Sequence, residues 1–139
     1  MSTPTSLRLD DATKDRLRAQ AEREQMSTAA LAQRLINEGL RIAAHPGVVF
    51  RDGPAGRRPS LIAGPDVAEV ASVMRHLDDS GDEAVAETAR WLEIPESAVR
   101  AAIDYYVEFT DEIDQEITRR EQAAEAARQH WERRQQLLA

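Results

Sequence analysis

The sequence predicts a mainly α-helical chain with one short N-terminal strand, two helices, a small hairpin, and then a helical domain ending in a charged helical tail. Three observations predict it. Apolar residues recur at helical spacing over most of the 139 residues. Strand-like patterns are confined to Thr5–Leu9 and to two short runs near the middle. Proline and glycine concentrate between positions 46 and 65, where they separate two helical regions.

Thr5-Ser6-Leu7-Arg8-Leu9 alternates polar and apolar, the period of a strand. Asp10 follows as an N-cap, because its carboxylate can accept from first-turn amides, and Asp11 adds favourable charge. The helix it starts runs to about Glu24, with Leu17 and Ala21 on one face, and breaks at Gln25-Met26. Ser27 caps a second helix whose Leu31, Leu35, Ile36, Leu40 and Ala43 form an apolar stripe. Pro46-Gly47 ends it. Val48-Val49-Phe50 and Ser60-Leu61-Ile62 flank turn chemistry and predict a hairpin within a linker over 45–66. Asp66 caps a third helix with Val67, Val70, Ala71, Met74 and Leu77 inward. After a turn at 78–82, a fourth helix carries Val85, Thr88, Ala89 and Leu92. Pro95 opens a fifth, with Val99, Ala102, Ile103, Tyr106, Ile113 and Ile117. The expected divisions are therefore 1–44, 45–66, 67–117 and 118–139.

Composition narrows the function. Hydrophobic residues make up 42% and charged residues 31%, enough of each for a folded, polar chain. No cysteine is present, which excludes disulfides, thiolate metal sites and cysteine nucleophiles. No apolar run approaches the ~20 residues of a membrane span, and the first ten residues lack a signal-peptide pattern. A cytoplasmic location without membrane association is the expectation. His45, His76 and His130 are scattered, the acids at 78–83 lack the order of a calcium loop, and no phosphate loop occurs. No acid–base pair or metal set can be named, so neither a catalytic role nor a cofactor is expected.

Charge is unevenly spread. Residues 1–44 carry +1, 45–66 carry +1, 67–117 carry −11 and 118–139 carry +2, giving −7 in all. The acidic block repels nucleic acid and attracts basic surfaces. DNA contact in the first segment must therefore come from placed arginines.

A lone strand must pair its backbone groups somewhere. Joining another sheet would leave Arg8 merely solvated. Pairing with a second copy as an antiparallel ribbon turns Leu7 and Leu9 toward the helices, and Ser6 and Arg8 outward. Such a ribbon fits a major groove, where Arg8 can donate two bonds to guanine and Ser6 can bond several bases. Amides at Ser27 and Thr28, at a helix start, can hold a DNA phosphate. In this pattern the first 44 residues resemble the ribbon-helix-helix repressors of the CopG/Arc type. The resemblance implies an intertwined homodimer on operator double-stranded DNA. Pro4 departs from the family pattern by removing an amide.

Ala89, Glu93 and Val99 fall at helix-turn-helix spacing: a small residue, a turn position and an apolar lock. The turn position usually holds glycine, which Glu93 is not. Glu96, Ser97, Arg100 and Asp104 on the next helix are poorly charged for DNA, so packing or protein docking is expected of this unit. His45–Gly53 with Gly56-Arg57-Arg58, and Arg100–Tyr106 with Asp111–Asp114, resemble VapB-like helical antitoxins of the kind paired with PIN-like toxins. That resemblance covers about residues 45–117 and implies a PIN-like ribonuclease partner. Tyr105 and Tyr106 read as core and boundary packing.

In the tail, Ile117, Ala124, Trp131 and Leu138 recur at period seven, too thin a stripe to fold alone. Trp131 can anchor in a partner's groove, and Arg119, Arg120, Arg133 and Arg134 can reach carboxylates. With the resemblance, those carboxylates would be the metal-binding acids of the toxin. A frayed helix, or pairing with the dimer mate, stands beside that reading. The resulting expectation is a type II antitoxin and autorepressor. Its rivals are a ribbon-helix-helix regulator without a toxin, and an interaction protein with no DNA role.

Overall fold

The computed structural model describes residues 3–139. It contains six helices and one two-stranded sheet: α1 (Asp11–Arg23), α2 (Thr28–Ala44), β1 (Val48–Arg51), β2 (Arg58–Leu61), α3 (Val67–Arg75), α4 (Gly81–Leu92), α5 (Glu96–Glu108) and α6 (Thr110–Leu138). The chain divides into two compact units, Met1–Ala43 and Ala44–Ala139.

In the first unit, α1 begins where Asp10 Oδ1 accepts from the Thr13 amide at 2.7 Å. It ends without glycine. Gln25 takes a left-handed conformation, φ 54°. Met26 N–H then donates to Ala21 C=O at 2.9 Å, and Gln25 N–H to Glu22 C=O at 3.2 Å. That pair of bonds is the Schellman pattern, which satisfies carbonyls the helix leaves open. Arg34 of α2 reaches back to both Glu24 carboxylate oxygens at 2.8 Å, fixing the turn. Residues 3–10 carry no strand, because a strand is defined by its ladder and no second strand lies beside them among the described residues. The stripe expected to be buried on α2 is mostly open. Leu31 is fully buried, whereas Leu35, Ile36 and Leu40 are 45%, 47% and 68% exposed.

The second unit is built around its own core. β1 and β2 pair antiparallel, with Val48 opposite Leu61 and Arg51 opposite Arg58. Gly47, at φ 103°, turns the chain into β1, and its carbonyl accepts from Ile62 N–H at 2.9 Å. The segment expected as a linker thus contributes Val48 and Leu61 to a cluster with Val67, Val70, Val99, Tyr105, Ile113 and Ile117. α3 starts at Asp66, whose amide donates to Glu69 Oε2 at 2.9 Å. α4 ends like α1: Glu93 lies at φ 55°, with Ile94 N–H on Ala89 C=O and Glu93 N–H on Arg90 C=O. The turn position therefore adopts the positive φ that glycine usually supplies.

The single helix expected from Glu96 to Ile117 is two. It breaks at Phe109, φ −119° and ψ 41°. The cause is tertiary. Tyr105 is fully buried, its ring 4.6 Å from that of Phe109, and His45 packs edge-on to both. Phe109 must leave the helical path to complete this aromatic group. Asp111 and Glu112 then favour a fresh helix N-terminus. From there α6 runs unbroken into the tail, and every residue from 121 onward is exposed.

Candidate functional site

Three places concentrate the residues singled out from sequence. The first is the open face of the first unit. Leu7, Leu9 and Leu17 line a groove of about 810 Å³ with Ala32, Leu35 and Ile36. Ser6 and Arg8, the expected base contacts, are both exposed. They alternate along the chain with the two leucines that line the groove. At the α2 start, Ser27 Oγ accepts from Ala30 N–H at 3.1 Å. Ser27 and Thr28 are exposed there, and first-turn amides have no acceptor within their own helix.

The second place is a buried ionic knot. Asp66 is 7% exposed. Its carboxylate accepts from Ser60 Oγ and from Arg120, and from Arg58 Nε at 2.6 Å. Arg120 also reaches Glu116 Oε1 at 2.9 Å. Burial pushes the Asp66 carboxyl up, but bonds from Ser60, Arg120 and Arg58 outweigh it and hold it below the usual carboxylate range. Glu116 goes the other way: burial raises it, and Arg120 only partly offsets that. Arg120, expected to face a partner, is thus engaged inside its own unit. It ties α6 to the hairpin and to the start of α3. The sequence signal for this was faint: an arginine one turn after Glu116, with Ile117 beside it on the buried face.

The third place is the free part of α6. Trp131 is 60% exposed, and Leu137 and Leu138 are 85% and 68% exposed. Arg119, Arg133 and Arg134 are exposed too. Arg128, between them, is engaged by Glu125 and Glu132 of its own helix. The expected contact residues therefore separate into an inner one, Arg120, and an outer set spread along an unpacked helix.

The three positions at helix-turn-helix spacing lie across the α4–α5 turn. Ala89 and Val99 are buried and Glu93 forms the turn. Glu96, Ser97, Arg100 and Asp104 are exposed, and Arg100 is paired with Asp82 at 2.8 Å. The fold also joins the two stretches behind the antitoxin resemblance, since His45 packs edge-on against Tyr105 and bonds Glu108. Among the described residues no group of three histidines, cysteines or acids is placed to hold a metal. No described helix is long and apolar enough to cross a membrane.

Taken together, fold and surfaces define a mainly helical chain of two units: one with an uncovered apolar face, and one with a complete core and a projecting helix. No protein-family model, no curated protein and no solved structure matches the chain.

Proposed function

We propose that the chain is an operator-binding homodimer whose C-terminal half captures a PIN-like ribonuclease, the arrangement of a type II antitoxin that represses its own promoter. One observation carries the reading. The first unit leaves a leucine-lined face and a potential strand uncovered on the same side, and a second copy supplies what both lack. Pairing the two Thr5–Leu9 segments would satisfy their backbone groups and bury Leu7, Leu35 and Ile36. Ser6 and Arg8 would then project together from a two-stranded ribbon, suited to base edges in a major groove. Ser27 and Thr28 would lie on phosphates.

The acidic second unit repels DNA, which favours protein as its partner. Trp131 with Arg119, Arg133 and Arg134, unpacked along α6, supports a role in gripping that partner's carboxylates. A regulator without a toxin would have little use for so long an exposed helix.

A gel shift on the DNA upstream of the gene tests the first half. Arg8→Ala is expected to weaken binding by at least about tenfold, the scale of one lost bidentate base contact. Unchanged binding removes Arg8 from the interface. Deleting residues 121–139 is expected to spare DNA binding and abolish neutralisation of a co-expressed ribonuclease encoded by a neighbouring gene.

A further inference from the structure

Between α3 and α5 lies a cleft of about 260 Å³, apart from the groove of the first unit and from the Asp66 knot. Its walls are aliphatic, including Ala71 and Met74 of α3 with Ala102 and Ile103 of α5. Arg75 and Tyr106 stand at its rim. Tyr106 Oη donates to Asp114 Oδ1 at 2.7 Å, and Arg75 bonds the same carboxylate, so both rim residues hold a carboxylate that is not itself part of the lining. An engineered apolar cavity of about 150 Å³ holds benzene, so this space has room for a bicyclic aromatic ring. The rim matches one in particular. A buried indole needs an acceptor for its N–H, which the Asp114 carboxylate can offer, and its face suits a guanidinium such as that of Arg75.

Two indoles are exposed, Trp91 and Trp131; of the two, Trp131, on the projecting part of α6, is the one in a basic stretch. Its surroundings complement in charge the acidic segment that contains the cleft, although the charged residue in the cleft lining itself is Arg75. From Ala126 to Ala139 the tail carries Arg128, Arg133 and Arg134 against Glu132, a net of +2. The cleft belongs to the block 67–117, with a net of −11. Trp131 lies fourteen residues beyond Ile117, the last buried residue of a continuous helix. At 1.5 Å per residue it stands about 21 Å away, so it cannot reach the cleft of its own chain while α6 stays helical.

We infer that Trp131 of one copy docks in the α3–α5 cleft of a second copy, with Arg133 and Arg134 against its acidic surface. Made reciprocally, the contact closes a two-fold exchange of tails. The cleft and the tail both lie in the second unit, so the contact does not depend on the operator-binding reading. Joined to that reading, it gives the tail a resting place that a ribonuclease must displace.

The 139-residue chain tests this directly, since it lacks cysteine. Met74→Cys in one copy and Gln135→Cys in a size-tagged second copy are mixed and oxidised. Gln135 lies one turn beyond Trp131 on the same helix face. A disulfide between the two copies is expected, falling at least about tenfold when the tagged copy also carries Trp131→Ala, because bridging needs Cα atoms within about 7 Å. In parallel, Trp91→Phe leaves Trp131 as the sole tryptophan. Its emission should shift to the blue with rising protein concentration, and Ala71→Leu, which fills the cleft, should reverse the shift. Circular dichroism confirms that each variant is folded.

A Trp131 emission that stays solvent-like at every concentration overturns the proposal. So does a cross-link insensitive to Trp131→Ala. Shielding of Trp131 that appears only when a ribonuclease is added overturns it too, and assigns the tail to that partner alone. The gel shift with Arg8→Ala reads a different surface, so failure of one reading leaves the other standing.

Discussion

The two units meet the cost of folding differently. In the second, thirteen buried side chains form one cluster, from Val48 in the hairpin to Ile117 in α6. In the first, the buried apolar residues among those described are Ala21 and Leu31, while Leu7, Leu35, Ile36, Leu40 and Ile42 remain open to water. Leucine and isoleucine side chains each gain roughly 1.5–3 kcal/mol from full burial. A unit that leaves five of them open forgoes much of what offsets its chain entropy. The difference teaches where a partner would matter most: the second unit has a core of its own, whereas the first leaves most of its large apolar side chains uncovered.

The most severe way to break the contrast is Tyr105→Ala. Tyr105 sits at the centre of the second core, fully buried beside His45 and Phe109. Its loss should cost about 3–5 kcal/mol, read from urea denaturation, and the cost should not depend on protein concentration. A smaller loss would mean that the aromatic group does not organise that unit.

The matching change in the first unit is Leu35→Arg. It places a charge on the open groove and should leave the melting of the second unit unaltered. In the parent chain the first unit's transition should rise with protein concentration, as mass action requires of a dimer. In the variant that dependence should vanish, together with DNA binding. A first unit that melts at one temperature over a hundredfold range of concentration would remove the dimer.

Asp66→Asn sharpens the comparison through pH. The carboxylate is held below its ordinary value, so its ionised form stabilises the fold above about pH 4, and that stability is lost as pH falls through the lower, folded value. Glu116, raised by burial, works against this. Its contribution favours the fold below its ordinary range and fades as pH rises through the higher, folded value. From neutral pH downward, stability should first rise slightly and then fall. Asp66→Asn should lower stability at pH 7 by about 2 kcal/mol, a buried pair discounted for partial exposure, and should flatten the acid fall. Urea midpoints at pH 3, 5 and 7 measure it. Asp66 belongs to the second unit, so the acid response of the first should not change.

Much of this was legible in the residues, and the failures share a cause. Asp10 and Asp66 announced helix starts because capping is local chemistry. Pro46-Gly47 and the turn residues after it announced the hairpin for the same reason. The break at Phe109 was illegible, because no glycine or proline marks it. It follows from Tyr105, Phe109 and His45 meeting across 64 residues of chain. Arg120 was read as reaching outward because its partner Asp66 lies 54 positions away. Local signals gave the elements, whereas contacts distant in sequence decided which charged groups were already engaged. For the same reason the apolar stripe of α2 was legible as a stripe, but not as one left uncovered within a single chain.

The mildest test exploits a feature both units share. Gln25 and Glu93 each occupy a left-handed turn after a helix, with the same pair of backbone bonds. An L-residue there pays roughly 1–2 kcal/mol that glycine does not, partly returned through glycine's looser unfolded chain. Glu93→Gly should therefore stabilise the second unit by about 1 kcal/mol, or roughly 4–8 °C in Tm, at any protein concentration. Gln25→Gly should give the first unit a similar gain. There it should appear as a shift in a concentration-dependent transition if, as proposed, the unit's folding and its pairing are one equilibrium. Equal, concentration-independent gains at both turns would mean that the first unit folds alone after all, and that its open leucines have some other use.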